Sequence, residues 1–373
     1  MKSSSHIKCY PQVCDVTEYE VGGCDVLEPG MLTTVQDDGH WGLQNTGIPV
    51  SVAMDQQALA LGNLLVGNEE GVAALEITLF GPRLAFTIDA LMAVTGVDMG
   101  LQVDGHDILA WTAILVRTGS VPSMTGFTGA GCRAWLCVAG GIDVPDVLGS
   151  RSTLLRVALG GFKGRALRTG DSLHLRPLTQ QVRRLDGFSC PVGLRPQYTV
   201  DAPVLPGPQA ESLTPGTRQA FLDATWTVSD ASDRMGCRLE GPQLALGHGA
   251  DVISEVIPEG AVEVTGSGLP IVMLADRQTT GGYVKPFVVA SAALGWLAQR
   301  RPGDSVRFRM CSRDDAREML EKQSSARKEL TRLQAIWRQR HAGGTLHLTV
   351  NGVRHVVEWQ DVTSLEADHE HGS

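Results

Sequence analysis

Two polar clusters in the second half of the chain carry the residue types that could do chemistry. The stretch Asp276-Arg277-Gln278-Thr279-Thr280-Gly281-Gly282-Tyr283-Val284-Lys285 sets an acid, an amide, two hydroxyls, a phenol and two cations between the apolar runs 271–275 and 287–290. Its Gly pair would let the backbone turn without a Cβ clash and let a ligand approach the N–H groups. The stretch 232–241 adds Asp233, Arg234, Arg238 and Glu240, and arginine suits two-pronged binding of a carboxylate or phosphate. Such a set could hold an anion, donate to a developing negative charge and move a proton. By composition alone the same residues read as a polar hairpin loop and a solvated strand face with cross-strand ion pairs.

The elements that must position these clusters are mostly strands. The chain has 373 residues, with 43 Gly and 18 Pro punctuating short apolar runs, which suits two β-rich domains with many turns. Leu75-Glu76-Ile77-Thr78-Leu79 alternates as a half-buried strand, and 134–139 is a strand broken by Gly140-Gly141. Met54, Ala58, Leu61, Leu64 and Leu65 recur at helical spacing, with Asp55 in the first turn and Gly67 past the end. Three short echoes keep their order: Gly81-Pro82-Arg83-Leu84-Ala85 with Gly241-Pro242-Gln243-Leu244-Ala245, Val94-Thr95-Gly96 with Val264-Thr265-Gly266, and Arg168-Thr169-Gly170-Asp171-Ser172 with Arg301-Pro302-Gly303-Asp304-Ser305. They point to an internal duplication, with the proline-rich interval 191–208 as its linker. From Asp314 to Gln339 dense charge and a stripe of Ala316, Leu320, Leu330, Leu333 and Trp337 predict a surface helix. A hairpin around Asn351-Gly352 follows it.

Other chemistries find little support. A net charge of −9 disfavours nucleic acid and anionic membranes as partners. No apolar run is long enough to span a bilayer and residues 1–10 lack a signal-peptide core, so the expected location is cytoplasmic. The eight cysteines form no Cys-x-x-Cys pair and there is no His-Glu-x-x-His, so no metal site is expected and the thiols read as reduced and structural. Gly129-Ala130-Gly131 leads into a strand rather than a helix, which rejects a dinucleotide fingerprint. No phosphate-binding P-loop and no Gly-x-Ser-x-Gly elbow is present.

Longer motifs carry a resemblance. Thr33-Thr34-Val35-Gln36-Asp37, Ala53-Met54-Asp55, Leu64-Leu65-Val66-Gly67-Asn68 and Ala74-Leu75-Glu76-Ile77-Thr78 occur in the first half. Ala139-Gly140-Gly141-Ile142-Asp143-Val144-Pro145, Leu148-Gly149-Ser150-Arg151-Ser152-Thr153 and Leu205-Pro206-Gly207-Pro208-Gln209 follow, then the clusters 232–241 and 276–285. In this order, over about residues 25–312, the chain resembles the biotin-dependent carboxyltransferase family, also called allophanate hydrolase subunit 2, which includes KipA and the C subunit of 5-oxoprolinase. It departs from the family pattern at His40, Val52 and Val284. A valine at 52 removes the freedom to take a positive φ.

The resemblance implies a mainly β protein of two cyclophilin-like β-barrel domains in tandem. The expected divisions are a leader at 1–24, barrels at 25–200 and 201–312, and a helix-plus-hairpin tail at 313–373. It also implies two partners, a KipI-like B subunit plus an A subunit, with a small amide or lactam as substrate. The first expectation for function is a subunit of an ATP-dependent 5-oxoprolinase, ATP being shared with the partner subunits. Asp276, Lys285 and Tyr283 would be catalytic, while Asp233, Arg234, Arg238, Glu240, Gln278, Thr279, Thr280, Gly281 and Gly282 would hold substrate or anion. Gln36, Asp37, Asp55 and Glu76 are the first-half candidates. The alternative is the carboxyltransferase part of a urea-type carboxylase, with biotin arriving on a separate carrier because the chain has no Ala-Met-Lys-Met acceptor sequence. A further alternative is a non-enzymatic, KipA-like regulator of a kinase inhibitor.

Overall fold

The computed structural model describes residues 22–127, 129–247 and 249–340, together with the backbone of 343–350 and 353–360. The protein is mainly β. In the first half a seven-stranded sheet that includes Gly23–Glu28, Arg83–Phe86 and Ser172–Leu175 faces a five-stranded sheet. The latter runs Leu32–Gln36, Ala74–Thr78, Arg133–Val138, Ala90–Gly96, Ala113–Val116. Period-two alternation sorts its side chains. Leu75 and Ile77 join Val26, Phe86 and Leu136 in the core between the sheets. Ala74 and Trp135 join Leu61 and Leu65 in a core on the other face.

The helix Gln56–Leu65 covers that second face and buries every residue after its first. Asp55 caps its start by accepting from Ala58 N at 3.1 Å, and Gly67, at φ 83°, takes the left-handed position just past its end. Each leucine it buries fully contributes about 1.5–3 kcal/mol.

In the second half the strands Asp201–Pro206, Ser305–Met310, Trp226–Val228, Gly236–Glu240, Pro270–Met273, Ala261–Val264 and Thr280–Val289 succeed one another around a ring. The ring closes where Thr280–Val289 pairs antiparallel with Asp201–Pro206, making a seven-stranded barrel. Asp251–Val256 adds to its outer edge through Thr280–Val289. The helix Pro215–Asp223 delivers Phe221 into the core, where it stacks on Phe287 and Phe308 with ring centroids 4.5 and 4.6 Å apart.

The duplication has a local structural counterpart. Arg168 N donates to Asp171 Oδ2 at 2.7 Å, and Arg301 N donates to Asp304 Oδ2 at 2.9 Å. Gly170 and Gly303 both sit at φ 86°. Gly170 N reaches Val26 O as Gly303 N reaches Val228 O, at 2.9 and 2.8 Å. Each turn therefore hands its strand to an equivalent neighbour. The echo beginning at Gly81 is weaker: Arg83–Phe86 is a strand, whereas 243–245 is not.

Part of the interval expected as a linker is a strand. Asp201–Pro206 closes the barrel, and although Pro203 has no N–H, its carbonyl accepts from Ala290 N at 2.9 Å. The C-terminal helix Arg313–Arg340 opens with a reciprocal cap, Ser312 Oγ accepting from Asp315 N and Asp315 Oδ2 from Ser312 N. Its second half is anchored: Leu330 and Gln334 are buried, Gln334 Nε2 donates to Leu64 O, and Trp337 Nε1 donates to Arg184 O at 2.9 Å. Leu320, from the same stripe, stays exposed. The strands Gly343–Val350 and Val353–Gln360 pair antiparallel, while the Asn351-Gly352 turn and the first 21 residues of the expected leader lie outside the described residues. The six described cysteines are free thiols, all buried. Among the described residues no helix is long and apolar enough to cross a membrane.

Candidate functional site

The two halves meet on one guanidinium. Arg234 lies in the turn before Gly236–Glu240, where Asp233 Oδ1 accepts from Met235 N and Gly236 N and so sets the turn. Strand pairing extends beyond Pro270–Met273, with Leu274 N on Met235 O and Asp276 N on Arg234 O, both at 2.9 Å, which places Asp276 opposite Arg234. Arg234 then donates from Nε and Nη2 to the two Asp276 oxygens, each at 3.0 Å. Its Nη1 donates to Glu76 Oε1, and Nη2 also to Val52 O at 2.8 Å. Glu76 projects from Ala74–Thr78 on the helix-covered face and takes Met54 N at 2.8 Å on its other oxygen. Ser51 Oγ donates to Asp276 Oδ1 at 2.7 Å.

All three ionic groups are at least 90% buried: Arg234 is 6%, Glu76 2% and Asp276 8% exposed. Burial pulls the Arg234 pKa down, but Asp276 and Glu76 outweigh it and hold the guanidinium above its ordinary value. The group therefore stays charged. The Val52 departure does not open this loop, because the positive φ falls on Ser51, at 53°, and Val52 supplies its carbonyl.

Beside this ion group opens a cavity of about 480 Å³. Arg234, Asp276 and Met54 form its wall, and Arg133, Arg156 and Arg300 also line it. Arg133 is held by Ala298 O and Arg300 by Thr199 O, whereas exposed Arg156 has, among the described residues, one hydrogen-bond partner, Met235 Sδ at 2.8 Å. Asp230 reaches the lining with no hydrogen-bond or ion-pair partner among the described residues. Four guanidinia and the carboxylates of Asp230, Asp233 and Asp276 line the hollow; with Arg234 already paired to Asp276 and Glu76, Arg133, Arg156 and Arg300 make a place for an anion or a carbonyl oxygen gaining charge. Sequence reading missed Arg133, Arg156, Arg300 and Asp230, which sit in no shared motif and converge only through the packing of the halves.

The stretch 276–285 is divided rather than gathered. Thr280–Val289 is a strand, so Gly281 and Gly282 do not turn the chain, and neither takes a positive φ. A Cβ at Gly281 would come within 2.6 Å of Ile257 Cδ1, so a larger residue there would push that side chain aside. Gln278, Thr280 and Tyr283 face solvent, Thr279 is half-buried, and Val284 packs in the barrel core. Arg238 and Glu240 lie on the exposed face of their strand, away from the cavity. Lys285 is fully buried elsewhere: its Nζ pairs with Glu255 Oε1 at 3.0 Å and donates to Tyr283 O at 2.8 Å. Expected together, Asp276 and Lys285 serve different clusters, because the chain leaves the cavity after Asp276 and the strand Thr280–Val289 carries Lys285 into the barrel.

Near Lys285, burial raises the Glu263 carboxyl above its ordinary 4.5 while Lys285 pulls it back. A raised folded-state pKa means stability is full below the unfolded pKa and is lost as pH rises through the folded one. Glu263→Gln removes that loss. Its melting temperature relative to wild type should climb from about pH 4 to about pH 8. A pH-independent difference would contradict this.

The first-half candidates are structural in their contacts. Asp37 Oδ1 accepts from Ser150 Oγ, Ser152 Oγ and Gly39 N at 2.6, 2.8 and 2.8 Å, and Oδ2 from Arg151 N at 2.5 Å. It ties the 150–152 loop to the end of Leu32–Gln36. Asp37→Ala strands these donors and should cost about 2–4 kcal/mol in urea unfolding; a loss under about 1 kcal/mol would deny the knot its role. Gln36 is buried and donates to Thr34 Oγ1 and Thr153 O, both at 3.1 Å. Asp55 caps its helix and accepts from Tyr198 Oη at 2.7 Å. Burial, then the Asp55 charge, pushes the Tyr198 phenol well above its usual range. His40 is buried with neither ring nitrogen paired among the described residues, and it does not line the cavity.

Comparison with known proteins places this geometry. The sequence profile of the carboxyltransferase domain, subdomain A and B, matches residues 46–310. The chain is 36% identical over 298 residues to the C subunit of 5-oxoprolinase from Haemophilus influenzae, covering 80% of this chain and 94% of that protein. It is 32% identical over 331 residues to urea amidolyase of Saccharomyces cerevisiae, covering 84% of this chain but 18% of that protein. The crystal structure of the K. lactis urea amidolyase superposes with a TM-score of 0.78 at 32% identity, over 85% of this chain and 20% of that one. The chain thus spans nearly the whole of a free-standing relative and one segment of much longer enzymes. With its two β halves joined at an arginine-lined cavity, it belongs to the carboxyltransferase domain, subdomain A and B, family of enzyme components.

Proposed function

We propose that this chain is a subunit of an ATP-dependent 5-oxoprolinase and acts with a KipI-like B subunit plus an A subunit. The observation that carries the reading is length: the match takes in 94% of the C subunit of a 5-oxoprolinase, against 18% of a urea amidolyase. Opening 5-oxoproline breaks the ring C–N bond, adds the oxygen of water to the carbonyl carbon and leaves the nitrogen protonated as the amine of glutamate. An amide is a poor electrophile, which is why ATP hydrolysis is coupled to the opening. The chain's own residues suit the charge that develops. Arg133, Arg156 and Arg300 stand where they can take up negative charge on the carbonyl oxygen or a phosphate. Asp276 and Glu76 accept the Arg234 donors and aim the guanidinium, so neither is a free base. Asp230, on the lining and unpaired among the described residues, is the carboxylate suited to carry the proton. Lys285 and Tyr283 then act on barrel structure rather than on substrate.

The test is to co-express the chain with its neighbouring A and B subunits and measure glutamate released from 5-oxoproline with and without ATP. ATP-dependent release that disappears when this chain is omitted is the expected result, and none from the full set would overturn the reading. A second reading, carboxyl transfer from a separate biotin carrier to urea, is favoured by the superposition on the K. lactis urea amidolyase over 85% of this chain. It predicts avidin-sensitive urea carboxylation with a biotin carboxylase and carrier added, and no response to 5-oxoproline.

A further inference from the structure

Behind the arginine cavity lies a buried amide that the reaction itself does not use. Gln299 is 2% exposed and stands next to Arg300 in the second half. Its Oε1 accepts from Arg133 N at 2.9 Å and Cys132 N at 3.2 Å, where the first-half strand Arg133–Val138 begins. Its Nε2 donates to Arg133 O at 3.1 Å and, at the longer distance of 3.5 Å, to Asp55 Oδ2. Two donors against one end and two acceptors against the other leave a single orientation for the amide. The grip is reciprocal: Arg133 Nη1 donates to Ala298 O, and Cys132 Sγ lies 3.5 Å from both Ala298 O and Arg300 O. Residues 132–133 of one half and 298–300 of the other thus form a seam from which two cavity guanidinia depart.

We infer that Gln299 is a positioning residue of the arginine cavity, one that sets the Arg133 and Arg300 guanidinia relative to each other before charge develops between them. The inference rests on the cavity's being the anion site of the reaction proposed above. Past the seam the two guanidinia are lightly held. Arg133 Nη2 has no partner among the described residues, and Arg300 makes one side-chain hydrogen bond, from Nη2 to Thr199 O. Their placement therefore depends on where the backbone at 133 and 300 is fixed, and Gln299 fixes both. Donors set in advance stabilise an oxyanion without reorganising as it forms, and a displacement of about 1 Å can cost about 100-fold in rate. An apolar side chain at 299 strands Cys132 N and Arg133 N. Arg133 O keeps Val97 N, at 3.0 Å, so the strand stays in its sheet and the disturbance falls on the seam.

The test has two arms. Gln299→Leu removes the amide, and Gln299→Asn, one methylene short, slackens the seam and serves if the leucine form does not fold. Asp37→Ala, which strands donors in a knot that does not line the cavity, is the control for instability alone. In the assembled complex Gln299→Leu should lower kcat by about 100-fold and Gln299→Asn by about tenfold, with KM for 5-oxoproline changed by less than about threefold. In the chain alone, inorganic phosphate titrated by calorimetry should bind about tenfold more weakly to either variant, and to Arg156→Ala, but equally to wild type and Asp37→Ala. If the wild-type assembly releases no glutamate, the functional reading falls and the phosphate arm decides this inference by itself. A Gln299 variant that melts lower yet keeps wild-type kcat or wild-type phosphate affinity overturns it. So does phosphate binding that is absent from wild type or unaltered in Arg156→Ala.

Discussion

Arg234→Met will lower the unfolding free energy by about 3–5 kcal/mol, the cost of removing one partner from a buried ion group. Glu76 and Asp276 would be left with negative charge in an interior from which solvent is excluded, having lost three of the guanidinium's hydrogen bonds between them. Val52 O would lose its donor as well. Most of the cost arises from the stranded carboxylates, not from the worth of the bridge itself. The triple variant Arg234→Met, Glu76→Gln, Asp276→Asn should therefore recover much of the loss, a strongly non-additive outcome expected of groups sharing one network. Urea unfolding of wild type, single and triple variants at one pH reads both numbers. A single-variant loss below about 1 kcal/mol, or a triple variant worse than the single, would show that the group does not hold the halves together.

The second large effect is on turnover. Arg156→Ala and Arg300→Ala should each reduce kcat/KM of the assembled complex by about 100- to 1,000-fold, the range for losing one preorganised donor to a developing negative charge. Arg156 is exposed and touches only Met235 Sδ among the described residues, so its removal should leave the melting temperature unchanged. Arg300 also holds Thr199 O, and its loss should cost modest stability in addition. A loss confined to KM would mark uniform anion binding, while an equal fall in kcat and kcat/KM would mark a contact made in the transition state. Full activity in Arg156→Ala would remove that residue from the reaction.

Much of the framework was legible because it rests on local rules. The helix from Asp55 to Gly67 could be read from its cap, apolar spacing and terminal glycine, and the structure has it at Gln56–Leu65. The strand around Glu76 could be read from alternation. The echo of Arg168–Asp171 in Arg301–Asp304 could be read because a Gly-Asp turn has the same chemistry wherever it occurs. The division of 276–285 was not legible. Paired glycines suggest a turn, but here they lie in a strand, Gly281 pairing with Glu255 across the ladder. Nor could Lys285 be separated from Asp276, since both are polar and both end up buried, and only tertiary packing sets Asp276 on Arg234 and Lys285 on Glu255.

The sequence by itself determined the family, the β-rich duplicated plan and the presence of Glu76, Arg234 and Asp276 in motifs. These depend on residue type and short-range spacing, which a linear chain displays. Tertiary structure alone decided that Glu76 of one half and Asp276 of the other share Arg234. It also brought Arg133, Arg156 and Arg300 to one cavity from segments far apart in sequence. A charge-lined hollow between two packed halves has no signature along the chain, because its residues become neighbours only when apolar burial has fixed both halves in place.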